Sequence, residues 1–257
     1  MDLTTITPLI LTYNEEPNID RTLSKLTWAK EVIIIDSFST DKTLEIVKNY
    51  ENVTVFQRTF DSHSNQWNYG LNQINSEWIL SMDADYIINE QLLAEINHLA
   101  QNSLVDGYFI PFKYCVFGKP LNQTILPPRQ CLFRKNKAIY IDDGHTQLLK
   151  NDGKISQIKS YIYHDDRKSL SRWLWAQDRY MILEVEKILK TPVNQLSLGD
   201  KIRKKIILAP FIVFFYCLIL KGGILDGWHG WYYAFQRMFA EILLSLRLIE
   251  AKYFNQE

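Results

Sequence analysis

The chain has 257 residues, 47% of them apolar and 13% aromatic, ample for the core of one large domain or of a domain with an appendage. Lys and Arg together number 29, as do Asp and Glu, so no global charge asymmetry points to nucleic acid as a partner. Cys115, Cys131 and Cys217 are odd in number and far apart, so they suit neither a disulfide framework nor a zinc site and fit a reducing cytosol. The start of the chain lacks the basic and apolar regions of a secretory leader, so secretion is not expected.

In chain order, Ile6 to Thr12 reads as a short apolar strand, broken by Asn14, Pro17 and Asn18. Apolar residues then recur with helical period at Ile19, Leu23 and Leu26. Residues 31–36 form a second strand of β-branched residues ending in an acid, and a helix follows over 43–50. Residues 53–56 are a third strand. A helix starting near Ser64 leads to a fourth strand over 78–82. Strands alternate with helices, and the strands are apolar throughout, which predicts an α/β fold with a parallel sheet and right-handed crossovers.

Open α/β sheets bind ligands beyond the carboxyl ends of their strands. Three strand ends here carry polar groups: Thr12, Tyr13, Asn14 and Glu15 after the first, Asp36 to Asp41 after the second, Asp83 and Asp85 after the fourth. Three in order imply a polar ligand lying across that edge. Carboxylates at the first two suit N–H and hydroxyl donors such as those of a base or a ribose. If strand geometry persists, Asp83 and Asp85 point the same way and attract a hard cation carrying phosphate oxygens. A loop with two solvated aspartates is the ordinary alternative. Neither G-x-G-x-x-G nor G-x-x-x-x-G-K-[ST] is present to cradle phosphate, so a diphosphate would need a metal to offset its charge.

Thr12-Tyr13-Asn14-Glu15-Glu16, the segment 36–43 and the stretch 78–85 together resemble the N-terminal half of family 2 glycosyltransferases, over about residues 5–150. The resemblance implies a GT-A type fold, Rossmann-like, with a mostly parallel central sheet flanked by helices. It implies a UDP-sugar as donor substrate and Mg²⁺ or Mn²⁺ as cofactor. It puts uracil or ribose near Thr12, Tyr13, Asn14, Glu15, Asp36 and Ser37. Ribose and the metal-bound diphosphate fall at Asp83, Ala84 and Asp85, with Asp85 the better metal ligand. Residues 64–68 resemble the family's helix bordering the donor pocket, which assigns Trp67 to the nucleotide; plain core packing is the other reading of that side chain.

Residues 107–112 are a further strand, followed by a loop with Gly118, Pro120, Pro127 and Pro128 and by a strand from Arg129 to Arg134. Either arginine suits a leaving diphosphate as a two-pronged donor, or is a surface cation. Inverting glycosyl transfer needs a general base for the acceptor hydroxyl, which family 2 enzymes commonly supply as a carboxylate in the region of Asp142-Asp143-Gly144-His145-Thr146. Relatives of the lipopolysaccharide-core type carry a Glu after the His, whereas Thr146 follows His145 here. Asp143 is the first candidate for the base and Asp142 the second, although Asp143-Gly144 is equally a turn dipeptide. His145 is assigned to diphosphate or acceptor. His164, at the end of a strand-like stretch over 158–163, resembles a position near the family's active site. It reads as a metal ligand, a phosphate contact or a helix cap. Ser169 is a credible N-cap for a helix over 170–189.

Composition changes near residue 200. Lys201, Arg203, Lys204 and Lys205 run into an apolar stretch over 206–220, 15 residues against the ~20 that a membrane span needs. That stretch predicts an interfacial or re-entrant helix against anionic cytoplasmic headgroups, or a buried helical pair packed on the sheet. Aromatics follow over 228–233 and a helix over 234–251, and residues 221–227 resemble the tail of the lipopolysaccharide-core subgroup. The expected division is a nucleotide-sugar-binding catalytic domain over 1–168 and a helical, membrane-associated region over 169–257. The expected function is inverting, metal-dependent hexose transfer from a UDP-sugar to a glycolipid, lipopolysaccharide or polysaccharide precursor. It is placed at the cytoplasmic face of the inner membrane, peripheral or monotopic. A non-catalytic nucleotide-sugar-binding or scaffold protein on the same fold is the alternative.

Overall fold

The computed structural model describes residues 1–99, 104–122, 124–143 and 146–254. They form two compact units. The first holds Met1–Gly118 and Leu126–Arg167, the second Lys119–Ile125 and Lys168–Glu257. The chain divides between Arg167 and Lys168, and segment 119–125, which the sequence assigns to the first domain, belongs to the second unit.

In the first unit, β1 (Ile6–Thr12), β2 (Val32–Asp36) and β3 (Val53–Gln57) are linked by α1 (Ile19–Leu23) and α2 (Thr43–Val47). α3 (His63–Gln73) leads to β4 (Trp78–Asp83), followed by β5 (Tyr86–Ile87) and α4 (Glu90–His98). The sequence pattern did not predict α4, which is capped where the Asn89 side chain accepts from Leu92 N at 2.9 Å. β6 (Val105–Ile110) and β7 (Phe112–Val116) follow; β8 (Lys119–Pro120) falls in the second unit. The unit closes with β9 (Arg129–Arg134), β10 (Ala138–Asp143), β11 (Thr146–Asn151), β12 (Lys154–Gln157) and β13 (Ile162–His164). The single strand expected over 158–163 thus gives way to β12 and β13.

The main sheet has the order β12-β6-β9-β4-β1-β2-β3. β1 runs parallel to β2 and β4, and β2 parallel to β3, so the carboxyl ends of all four share one edge. β1, β2 and β4 are buried on both faces, as their unbroken apolar runs require. Ile6, Ile10, Ile34 and Leu80 pack to one side with Leu23 and Leu26. Leu9, Ile33, Ile35 and Ile79 pack to the other with Trp67 and Leu71. Each such side chain contributes roughly 1.5–3 kcal/mol on burial.

The sheet is mostly parallel, as expected, but mixed, because β9 runs antiparallel to both β4 and β6. The chain reaches β9 through a loop and not a helical crossover, and only a crossover enforces parallel pairing. Between β6 and β9 the register slips: Tyr108 faces Leu132 but Phe109 faces Gln130, leaving Cys131 as an extra, bulged residue. Ser81 on β4 donates its hydroxyl to the Cys131 carbonyl at 3.3 Å. A smaller sheet sets β13 between β5 and β7. The β10–β11 ribbon packs on α3, where Trp67 stacks on Tyr140 and the Asn68 side chain clamps the Tyr140 backbone. Asn68 Nδ2 donates to Tyr140 O at 2.9 Å, and Tyr140 N donates to Asn68 Oδ1 at 3.0 Å.

The second unit is helical: α5 (Leu170–Lys190), α6 (Leu198–Arg203), α7 (Leu208–Phe215), a π-helical turn over Tyr216–Leu220, a 3₁₀ turn over Gly223–Asp226, and α8 (Trp228–Tyr253). Ser169 caps α5, its hydroxyl accepting from Arg172 N at 3.3 Å. Met181, Val185 and Ile188 of α5 pack with Leu244 and Leu248 of α8. α8 starts six residues before the 234 expected, since Gly230 lets it pass the preceding turn: a Cβ there would lie 1.8 Å from the Gly223 carbonyl oxygen. Among the described residues no helix is long and apolar enough to cross a membrane.

Candidate functional site

The parallel register brings the expected polar strand ends together. Thr12 lies beside Asp36, and Leu11 beside Asp83. The loops after β1 and β2 are then stitched to each other. Asn14, at a left-handed φ of 56°, donates its backbone N–H to Ser39 Oγ at 2.9 Å and accepts from Thr40 N at 2.8 Å. Glu15 N donates to Thr43 Oγ1 at 2.7 Å, while Tyr13 is exposed. Ser37 N donates to Thr12 O at 2.9 Å, and its hydroxyl accepts from Gln66 Nε2 at 2.9 Å.

Asp36 departs from expectation. It is fully buried and accepts from Thr12 Oγ1 (3.0 Å), Ser39 Oγ (2.5 Å), Ser39 N (2.9 Å) and Gln57 Nε2 (3.2 Å). These fill the roughly four acceptor positions of a carboxylate. Asp36 therefore shapes the 37–40 turn from within instead of presenting an acceptor to a base or ribose. Phe38, at the apex of that turn with φ 60°, is half exposed.

At the end of β4 the two carboxylates also differ from a period-two pair, because the strand stops at Asp83 and a turn carries Ala84 and Asp85. The Asp83 side chain is 40% exposed and lies 3.5 Å from Arg129 Nη1. Asp85 is buried, its Oδ2 3.1 Å from His164 Nε2. Burial opposes protonation of His164, yet the adjacent Asp85 carboxylate, by charge and hydrogen bond, holds its pKa above the ordinary value. Tyr86 and Tyr114 set their rings edge-on to the imidazole at 5.2 and 5.1 Å. Arg129 Nη1 donates to the Tyr86 hydroxyl at 3.3 Å. Burial first, and then the Asp83 charge, pushes the Tyr86 phenol well above its ordinary pKa. Ala84 is buried, and its carbonyl accepts from Thr22 Oγ1 at 2.6 Å.

A layer of residues that the sequence pattern did not single out holds His164 and the β1 loop together. Asn18 is wholly buried and donates to Glu15 Oε2 and to Asp166 Oδ1, both at 2.9 Å. Its Oδ1 accepts from Arg21 Nη2 at 2.7 Å and Arg167 N at 2.8 Å. Arg21 also pairs with Asp165 at 2.7 Å, and Asp165 N donates to the Asp85 carbonyl at 3.0 Å. The sequence signal for these contacts was Asn18 at a helix start; Asp166 and Arg167 lie 148 and 149 residues from it.

A cavity of about 170 Å³ opens beside Asp83. Arg129, Gln130, Tyr86 and Gln147 line it, with Trp67 and Tyr140 stacked at 5.2 Å. Trp67 is thus both core and pocket wall, being 3% exposed. Asp142 sits across the ribbon from Gln147, and Asp143 across from Thr146, but neither aspartate lines the cavity. His145 lies outside the described residues. Arg134 is corrected outright. Because β9 is antiparallel to β4, Arg134 pairs with Trp78 at the far end of the strand, about 17 Å of strand from Arg129. There it meets Glu77 and Asp106 and stacks 4.7 Å over the Trp78 ring.

The model of the family described as Glycosyl transferase family 2 matches residues 9–153, more than half of the chain and the whole of this edge. The chain belongs to that family. It is a glycosyltransferase of GT-A-like α/β fold, with a mixed central sheet and flanking helices. A glycosyltransferase of Rickettsia typhi, RT0209, is 24% identical over 200 residues, covering 72% of this chain and 68% of its own. Two solved structures share the fold at lower identity. One is Staphylococcus aureus TarS 1–349 in complex with UDP-GlcNAc (21% identity, TM-score 0.51, covering 96% of this chain and 91% of that one). The other is the mannosyltransferase PcManGT of Pyrobaculum calidifontis in complex with GDP-Man and Mn²⁺ (13%, TM-score 0.55, 96% and 88%).

Among the described residues of this transferase, no three His, Cys, Asp or Glu side chains gather as a metal-ligand set. Magnesium and manganese sites in nucleotide enzymes use one or two carboxylates, with phosphate oxygens and water completing the shell. The exposed Asp83 and the His164-bound Asp85 fit that division of ligands.

Proposed function

We propose that this family 2 transferase moves a hexose from a UDP-sugar, with inversion, onto a hydroxyl of a glycolipid, lipopolysaccharide or polysaccharide precursor held at the cytoplasmic membrane face. The reading is carried by the shared edge of β1, β2 and β4, where the stitched 12–16 and 37–40 loops lie in register with Asp83 and the cavity beside it. TarS, with UDP-GlcNAc, is a neighbour in fold and supports a nucleotide sugar as donor.

The nucleoside would rest against Thr12, Tyr13, Asn14 and Ser37, and the diphosphate would reach Asp83, Asp85 and Arg129. Mg²⁺ or Mn²⁺ held by Asp85 and Asp83 would supply charge neutralisation of the leaving diphosphate. Arg129, tied to Tyr86 and Asp83, offers a cation whose position is set before substrate arrives. His164 orients the Asp85 carboxylate. The acceptor oxygen forms its bond to the anomeric carbon as the bond from that carbon to the diphosphate oxygen breaks. The hydroxyl proton passes to a carboxylate of the β10 end, Asp143 first and Asp142 second.

The test is a panel of UDP- and GDP-sugars read by thermal stabilisation with and without Mn²⁺, followed by transfer assays. UDP-sugars are expected to raise the midpoint in a metal-dependent way. Asp143→Asn is expected to keep that shift and lose transfer. Stabilisation by GDP-sugars alone would overturn the donor assignment, and full turnover in Asp143→Asn would move the base elsewhere.

A further inference from the structure

The second unit leaves much of its apolar surface uncovered. On α8, Trp228, Trp231, Phe235, Phe239, Ile242 and Leu246 recur at three- and four-residue steps and are all exposed. On α7 and the π-helical turn Phe211, Phe215 and Ile219 are more than half exposed, and at the hairpin tip Leu220 and Leu225 reach 74% and 81%. Patches of this extent on a soluble surface mark an interaction face.

The charges around it identify the partner. Between residues 200 and 249 the chain has three acids, Asp200, Asp226 and Glu241, and all three are buried. Asp200 and Glu241 pair with Arg203 at 3.0 and 2.7 Å, and Asp226 accepts from Asn122 Nδ2 at 2.7 Å. Lys201, in α6, and Lys204 and Lys205, between α6 and α7, are by contrast exposed. Lys221 stands at the other end of the hairpin arm, its ammonium 5.6 Å from the Tyr216 ring. A second copy of the chain would bring these lysines no acid from the same face. An anionic lipid surface complements both the apolar stripe and the lysines.

We propose that the α7–α8 face docks flat on an anionic phospholipid monolayer, entering the headgroup–acyl boundary of one leaflet. The arm over Leu208–Leu220 is 13 residues, about 20 Å at most against the roughly 30 Å of a bilayer core. Lysines at both of its ends reach headgroup level together only if the arm lies in the membrane plane. Trp228 and Trp231, at the start of α8, are residues favoured at that depth.

This inference deepens the reading of a membrane-held acceptor, but its test needs neither donor nor acceptor. The whole protein is floated with vesicles containing phosphatidylglycerol and with vesicles of phosphatidylcholine alone. Binding is expected to the first set and to fall with salt. The triple variant Lys201→Gln/Lys204→Gln/Lys205→Gln is expected to bind about a hundredfold more weakly, about fivefold for each lysine. Leu220→Glu/Leu225→Glu, both at exposed positions, is expected to abolish binding while keeping the wild-type circular dichroism. Bromine-labelled lipids should quench Trp228 and Trp231 best when the label lies near the headgroup. Failure of the wild-type protein to float would overturn the proposal, as would a solution dimer dissolved by the leucine variant. UDP binding measured separately tells this failure from failure of the donor reading, since the two assays share no component but the protein.

Discussion

Asn18 offers the sharpest check on how the site is held. Its amide spends both donors and both acceptor positions, on Glu15, Asp166, Arg21 and the Arg167 backbone. It thereby ties the loop after β1 to the segment that follows His164. Asn18→Ala removes four hydrogen bonds, three of them to charged side chains. At about 1 kcal/mol each, and more for charged partners, the sum is about 5 kcal/mol before relaxation. Water can reach Arg21, whose side chain is 31% exposed, so about 3 kcal/mol is the expected net loss. For a chain of this length that lowers the melting midpoint by roughly 6–12 °C. Asn18→Asp keeps the volume but replaces both donors with a carboxylate facing Glu15 and Asp166. The bonds from Arg21 and Arg167 N are kept, yet the variant should be less stable than wild type at neutral pH and recover in part in mild acid, as the introduced carboxylate protonates. Differential scanning calorimetry at two pH values reads both effects. A variant Asn18→Asp as stable as wild type at pH 7 would refute this account of the network.

Two further substitutions test the placement of the arginines. Arg134→Ala is expected to cost about 1 kcal/mol, through lost stacking on Trp78 and lost pairing with Glu77 and Asp106, and to leave UDP affinity by calorimetry unchanged. A large loss of affinity would return Arg134 to the site. Arg129→Lys keeps the charge but cannot present a planar fork to Tyr86, Asp83 and a diphosphate together. Its turnover is expected to fall at least tenfold with little change in melting midpoint, and wild-type turnover would show that charge alone suffices.

Much of the site was legible because its residues stand at the ends of strands that announce themselves. The runs over 6–12, 32–36 and 78–83 are apolar without alternation, so burial on both faces and parallel pairing follow from composition alone. Each run ends in a polar residue, and parallel strands bring those ends to one edge. The placing of Thr12, Asn14, Asp83 and Asp85 along that edge was read that way. The same reasoning placed Asp36 correctly but missed that Gln57 and Ser39 hold its carboxylate inward. Asp83 and Asp85 were placed as a matched pair, but the strand stops between them, leaving one exposed and the other against His164.

What the sequence alone determined, then, was the order of elements and the edge where the chemistry gathers, because periodicity and strand ends are properties of neighbouring residues. Only the tertiary structure decided which way β9 runs, and with it that Arg129 reaches the cavity while Arg134 does not. It also decided the bulge at Cys131, the joining of Asn18 to Asp166 and the passage of residues 119–125 into the helical unit. These depend on contacts between residues tens to more than a hundred positions apart. Strand direction, register slips and buried polar partners are settled by which surfaces pack together, and no local pattern carries that information.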